Sequence, residues 1–364
     1  MLNMGGGLKK NVYFCTMISR IIDEKAISRI RELLTDSEKV VITCHLTPDG
    51  DAIGSALGLY HVLTEIGKDV AVVTPDMVPR SLLFLPGAKE AVAYTRHEEF
   101  ASRLLAEADL IFCLDFNEPK RVDRMADALV AAKGAKVMID HHEGPADFTD
   151  VTVSHPEASS TSMLVFRVLC RLELFDRIGR KAAECIYTGM MTDTGNFSYN
   201  SNEPDLYVVI AELLKKGIDK DKLYTKACNT FRESAVRLCG YALGEKMIID
   251  TDHRCSLIAI DSDELKRFGY EKGDTEGLVN KPLAIPEVIW SVYLRQDPTQ
   301  IKVSMRSKGK FPVNKVCGEV FGGGGHENAA GAEFVGTLDE CIARLREAMP
   351  RYDRYLPTRK NKSK

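Results

Sequence analysis

Four short segments of the 364-residue chain concentrate side chains that can bind cations or move protons. The first is His45-Leu-Thr-Pro-Asp49-Gly-Asp51-Ala-Ile-Gly-Ser55, which follows the apolar run Val40-Val41-Ile42-Thr43-Cys44. One imidazole and two carboxylates this close together can point into a single crevice, and Gly50 permits a turn that other residues avoid. Taken alone, the segment has a second reading, with Asp49-Gly50 as a turn and Asp51 as the N-cap of the following helix. The other segments weaken that reading. Asp115 closes the apolar run Leu110-Ile111-Phe112-Cys113-Leu114, where a lone carboxylate is costly unless paired or bound to a cation. Asp140-His141-His142 closes Val137-Met138-Ile139 in the same way. A single buried histidine is more often an ordinary core residue, but three strand ends carrying Asp or His point to one site. In Gly189-Met-Met-Thr-Asp193-Thr-Gly195, Ile186, Met190 and Asp193 fall at i, i+4 and i+7, so the carboxylate continues the buried face of a helix.

Carboxylates and imidazoles without thiolates favour Mn²⁺, with Mg²⁺ or Co²⁺ as substitutes, over structural zinc or calcium. These side chains exceed what one ion needs. Two ions about 3.5 to 4 Å apart, sharing a carboxylate, would use them, and such a pair suits in-line phosphoryl hydrolysis.

The elements that must position these groups are legible as alternating patterns. Apolar runs at 40–44, 70–73, 110–114 and 137–139 alternate with helical stretches such as Ala52 to Ile66, which Gly67 closes. Runs apolar on both faces imply a parallel sheet covered by helices on both sides, with ligands at the carboxyl ends of the strands. The expected architecture is α/β: an N-terminal domain over residues 17–216, a helical linker over 217–243, and a smaller mixed α/β domain over 244–350 across a cleft. Residues 1–16 read as a disordered leader, with Met17 an alternative start, and 351–364 as a basic, solvated tail.

Hydrophobic residues at 45% and charged residues at 28% fit a globular protein, and the net charge of -3 argues against a partner such as long duplex nucleic acid. No run approaches the roughly 18 apolar residues of a membrane span. Ten scattered cysteines without a CxxC pair suit free thiols in a reducing, cytoplasmic setting.

Together, segments 45–55, 114–115, 140–142 and 192–195 resemble, in order and spacing, the four successive motifs of the DHH phosphoesterase family. The resemblance implies that His45, Asp49 and Asp115 hold one ion. It implies that Asp51, Asp115, His141 and Asp193 hold the other, with Asp115 bridging. Asp140 would orient His141, and His142 would face the scissile phosphate as a catalytic residue beside Asp115. Thr47 departs from the family pattern, which often has Asn there, and bears on loop shape or substrate contact.

In the second half, Ile301-Lys-Val-Ser-Met-Arg306 alternates, so Ser304 and Arg306 share a polar face suited to phosphate; a solvated sheet face is the other reading. Phe321-Gly-Gly-Gly-Gly325-His326-Glu-Asn-Ala-Ala-Gly331 reads as a loop whose amides an anion can approach, and no Lys-Ser/Thr pair follows to make it a common phosphate loop. This half resembles the DHH-associated domain of exonucleases and oligoribonucleases. The resemblance implies that Ser304, Arg306, Gly323, Gly324, Gly325 and His326 grip the nucleotide end of a substrate. Arg121 and Phe197 are further candidates, for phosphate contact and base stacking.

Family branches that act on pyrophosphate resemble this chain only in the first domain, so the segment from Gly322 to His326 counts against them; long-substrate exonucleases carry further domains, and membrane-bound cyclic dinucleotide enzymes carry N-terminal spans. The expected activity is therefore that of a stand-alone oligoribonuclease. It would degrade short single-stranded RNA to mononucleotides and remove the 3′-phosphate from 3′-phosphoadenosine 5′-phosphate (pAp). Linear or cyclic dinucleotides are alternative substrates, and a homodimer is compatible with this reading. A non-catalytic nucleotide-binding regulator on the same fold is a further alternative, and the complete ligand set speaks against it.

Overall fold

Val40 to Thr43 is buried on both faces because it forms the middle of a parallel sheet. The computed structural model describes residues 21–358; the expected leader at 1–16 and the last residues of the expected tail lie outside them. Six strands make the first sheet: β1 (Lys39–Thr43), β2 (Asp69–Thr74), β3 (Val92–Ala93), β4 (Leu110–Leu114), β5 (Ala135–Asp140) and β6 (Val151–Ser154). Their order is β3-β2-β1-β4-β5-β6 and every pairing is parallel. Strand order reverses at β1 and β4, so the connections leaving those two strands diverge and open a crevice at their carboxyl ends.

Alternate residues of the strands feed separate cores on the two faces. Val40, Ile42, Phe112 and Ile139 pack with α1 (Glu24–Asp36), α2 (Gly50–Glu65) and two later helices, while Val41, Ile111 and Cys113 pack with α3 (Glu98–Glu107) and α4 (Ala126–Ala131). The later pair are α5 (Thr161–Arg171) and α6 (Arg180–Asp193). A β-carbon on Gly54 would lie 2.6 Å from the Cys185 carbonyl oxygen and 2.7 Å from the Gly189 nitrogen, so α2 and α6 meet backbone to backbone. That close, antiparallel crossing brings the start of α2, with Asp51, to the end of α6, with Asp193.

The chain divides into two compact units between Thr230 and Phe231. After α7 (Pro204–Lys215), α8 (Lys220–Cys228) inserts Leu223 into the first core, whereas α9 (Glu233–Tyr241) contributes Leu238 to a core of the second unit. The helices of 217–243 are thus shared out between the units. The second sheet contains β7 (Ile248–Asp250), β8 (Cys255–Ile260), β9 (Trp290–Gln296), β10 (Ile301–Ser307), β11 (Gly324–His326) and β12 (Ala329–Phe334), in the order β11-β12-β10-β9-β8-β7. Only β8 and β9 pair in parallel. The basic end is not wholly a solvated tail: Met349–Tyr355 forms a 3₁₀ turn whose Tyr352 is buried in the second unit's core and donates to Glu319 Oε2 at 2.8 Å. Its ring is buried with its hydroxyl paired while the flanking Arg351, Asp353 and Arg354 stay exposed.

Candidate metal centre

Both candidate histidine ligands have their tautomer set by a backbone carbonyl. His45 Nδ1 donates to Leu46 O at 2.8 Å, and His141 Nδ1 to Ala158 O at 3.2 Å. Each ring therefore presents Nε2 to the carboxylates, and an ion replacing the proton there would meet its lone pair. His45 Nε2 lies 3.4 Å from Asp115 Oδ2 and 3.8 Å from Asp49 Oδ1. His141 Nε2 lies 3.6 Å from Asp115 Oδ1, 3.5 Å from Asp193 Oδ2 and 4.0 Å from Asp51 Oδ2. The two oxygens of Asp115 thus face two different donor sets. Within each of the sets His45, Asp49, Asp115 and Asp51, His141, Asp193, the donor atoms lie within 4.8 Å of one another. Most of these spacings are too long for good hydrogen bonds, and they are what donors about 2.0 to 2.2 Å from a shared ion would show. The residues fit a pair of divalent cations.

Local structure explains how four carboxylates tolerate one another. Asp49, rather than Asp51, is the N-cap of α2: its Oδ1 accepts from the amides of Asp51 and Ala52 at 3.0 and 3.1 Å. Asp51 is instead buried in the first turn, where Oδ2 accepts from Thr161 N at 2.6 Å and Oδ1 from Ser162 N at 2.9 Å. These amides open α5, so the positive end of one helix holds a carboxylate of another. Thr161 Oγ1 also donates to Asp115 Oδ1 at 2.9 Å. Sequence reasoning missed Thr161 and Ser162. Their signal is the polar run Ser159-Ser160-Thr161-Ser162 before apolar Met163-Leu164-Val165, a helix-start signature. Asp115 sits at φ 63°, a left-handed conformation that Asp tolerates better than most residues and that cores hold only where surroundings enforce it. Thr47 shares that region at φ 50°, which is harder for a β-branched residue and is the conformation Asn would ease.

The charges remain in tension. Burial, with repulsion from Asp115, pushes the Asp51 carboxyl up to about 7. Burial and the Asp51 charge raise Asp193 well above the carboxylate range. Burial works against the Asp115 carboxylate too, yet its contact with His45 and the charge of His141 hold it well below that range. His141 is lifted to about 9, burial notwithstanding, by Asp193, Asp115 and Asp51. A cation held by these residues would supply the positive charge that offsets their mutual repulsion.

Asp140 does not orient His141. Its Oδ1 lies 2.7 Å from His142 Nδ1, making Nδ1 the protonated nitrogen of that ring. His141 and His142 both turn toward Asp115, their ring centroids 5.2 Å apart. His142 Nε2 in turn lies 3.4 Å from Arg121 Nη2, and the Arg121 carbonyl accepts from Leu46 N at 2.8 Å, tying two strand-end loops together. Phe197 is turned inward against Tyr187, ring centroids 5.7 Å apart, and packs on the main core.

In the second unit, register assembles the other candidates. Arg306 pairs with Ala329, which pairs with His326; Ser304 pairs with Gly331, which pairs with Gly324. Opposed residues of an antiparallel sheet share a face, so Ser304, Arg306 and His326 flank a floor of small residues. The glycine segment is only partly a loop, because Gly324 to His326 is the edge strand β11. Gly323 and Gly325 are needed for close approach: β-carbons there would lie 2.3 Å from the carbonyls of Gly331 and Ala329.

Comparison with known proteins agrees with this geometry. The model of the DHH family, N-terminal domain, matches residues 39–190, and that of the DHHA1 domain matches residues 258–352. The bifunctional oligoribonuclease and PAP phosphatase NrnA of Thermus thermophilus is 32% identical over 319 residues, which cover 85% of this chain and 89% of that protein. The cyclic-di-AMP phosphodiesterase GdpP of Geobacillus thermodenitrificans is 28% identical over 346 residues, covering 89% of this chain but 49% of that one. A crystal structure of an exopolyphosphatase-related protein from Bacteroides fragilis matches with a TM-score of 0.90 at 49% identity, covering 92% of this chain and 98% of that chain. With DHH motifs on the strand ends of its first unit and a DHHA1 domain in its second, this chain belongs to the DHH family of phosphoesterases.

Proposed function

We propose that the protein is a two-ion phosphodiesterase that trims short oligoribonucleotides to mononucleotides and converts pAp to AMP. The observation that carries this reading is Asp115, whose Oδ2 faces His45 and whose Oδ1 faces His141. A carboxylate shared between two donor sets is what paired divalent ions require. Held by His45, Asp49 and Asp115 and by Asp51, Asp115, His141 and Asp193, Mn²⁺, or Mg²⁺ or Co²⁺ in its stead, would neutralise phosphate charge and acidify a water. His142, with Nδ1 on Asp140, has Nε2 beside Arg121 as the nitrogen to exchange a proton with the leaving oxygen. Arg121, beside that nitrogen, is suited to a phosphate oxygen. From the second unit we assign Ser304, Arg306, Gly323 to Gly325 and His326 to grip the nucleotide. The small floor between them supports that role, as does the likeness to NrnA over both units. A cytoplasmic setting fits the buried free thiols.

The test is incubation of the purified protein with a labelled RNA dinucleotide, and with pAp, in Mn²⁺. The parent should release mononucleotide and AMP, and Asp115→Ala should release neither. Absence of turnover by the parent would sink the activity, and equal turnover by the variant would sink the site. The GdpP likeness favours a second reading, hydrolysis of linear or cyclic dinucleotides such as pApA, and parallel rates on the three substrate types decide between them.

A further inference from the structure

We infer that Tyr199 is the stacking platform for the nucleobase next to the scissile phosphate; the inference rests on the oligonucleotide-hydrolase reading above. Immediately after Asp193 the chain makes an unusual turn. Gly195, Asn196 and Phe197 are consecutively left-handed, at φ 55°, 56° and 60°, and Asn200 follows at φ 45°. Successive left-handed residues cost roughly 1 to 2 kcal/mol each outside glycine, so such a turn persists only when its surroundings impose it. Here the turn is knotted by its own hydrogen bonds. Asn196 N donates to Met191 O at 2.7 Å, Ser198 N to Thr194 O at 2.9 Å, Phe197 N to Thr194 Oγ1 at 3.1 Å and Ser201 Oγ to Phe197 O at 3.0 Å.

The consequence is a division of the two aromatic residues. Phe197 is partly buried, packed on Tyr187 and the main core, and meeting a base would cost it that packing. Tyr199 turns outward and is 54% exposed. Its ring lies directly on Gly195: a β-carbon at that glycine would fall 2.1 Å from Tyr199 Cε1. The ring is therefore braced from beneath by backbone two residues from Asp193, the residue whose carboxylate faces His141 at 3.5 Å. A half-exposed aromatic braced on backbone two residues from a candidate ligand is what sequence-tolerant base recognition uses, because every base offers a π-face. Tyrosine loses little rotamer freedom on binding, so the braced ring is already ordered for that contact. Such a platform also explains how an enzyme can act on the last few nucleotides without reading their sequence.

Steady-state kinetics on an RNA dinucleotide, and on the same dinucleotide lacking the base beside the scissile phosphate, tests this. For Tyr199→Ala, KM on the full dinucleotide should rise about tenfold or more while kcat changes little, the loss expected of one base–aromatic stack. On the abasic substrate the variant and the parent should show equal KM. Tyr199→Phe and Tyr199→Trp, which keep a ring, should retain the parent KM, and unfolding of each variant by urea controls for damage to the turn. Equal KM for parent and Tyr199→Ala on the full substrate, or the same rise on the abasic one, would overturn the inference while leaving the hydrolase intact. A Tyr199→Phe as weak as Tyr199→Ala would overturn it in favour of a hydroxyl contact. If the parent cleaves neither substrate, the functional reading fails first and the platform with it.

Discussion

Asp140 Oδ1 lies 2.7 Å from His142 Nδ1, while the neighbouring His141 takes its orientation from the Ala158 carbonyl. The carboxylate between strand and histidines therefore serves the ring offered for proton transfer, and Nδ1 of the candidate ligand meets a backbone carbonyl.

Asp140→Asn separates these roles. The amide fills the same space but no longer compels His142 to carry its proton on Nδ1, so kcat should fall by roughly 10²- to 10⁴-fold, the size of a general acid–base contribution. Mn²⁺ affinity measured by calorimetry should stay within a few-fold of the parent. A large loss of Mn²⁺ affinity would instead return Asp140 to the service of His141.

Thr161→Val removes the buried hydroxyl that donates to Asp115 Oδ1 while keeping side-chain shape. The carboxylate proposed to bridge the ions loses a hydrogen-bond donor, and metal affinity should weaken about 10- to 100-fold, as outer hydrogen bonds to ligands typically contribute. Titration with Mn²⁺ under anaerobic conditions checks it, and an unchanged affinity would make the hydroxyl merely a cap-side ornament of α5.

Gly54→Ala addresses the crossing of α2 and α6. Its new methyl would meet the Cys185 carbonyl at 2.6 Å, a contact with backbone that no rotamer relieves. Overpacking of this kind costs about 1 to 3 kcal/mol, readable as a lower urea midpoint at unchanged slope. Because the same crossing sets Asp51 against Asp193, the variant should also bind Mn²⁺ more weakly than its stability loss alone explains.

Metal uptake should release protons near neutral pH. Without ions, burial and Asp115 hold Asp51 up at about 7, Asp193 is raised as well, and His141 lies at about 9, so each retains a proton that a ligand must lose. Apparent affinity should therefore rise as pH climbs from about 6 to 9, the span of those shifted groups. Calorimetry in two buffers of different ionisation enthalpy reads the proton count directly. A zero count at pH 7 would mean that the ligands are already deprotonated in the free protein.

How much of the protein was legible beforehand depends on which interactions decided each part. The parallel sheet was readable because strands buried on both faces must be continuously apolar, as in Leu110 to Leu114, and because helices between them keep a 3.6-residue rhythm. The candidate ligands were readable because His45, Asp115 and Asp140-His141-His142 interrupt such runs, and an ionisable group ending an apolar strand needs a reason. Which partner each group chose was not. Asp49 rather than Asp51 caps α2, and Asp140 serves His142 rather than His141. Thr161, 110 residues from Asp51, supplies the amide that anchors it. Phe197 and Tyr199 are alike in sequence, yet a left-handed turn lays one against the core and leaves the other exposed. Residue type and spacing follow from local burial and period, which the sequence alone determines. Pairing across the fold depends on side-chain direction, helix crossing and strand register, and those exist only once the distant segments have packed.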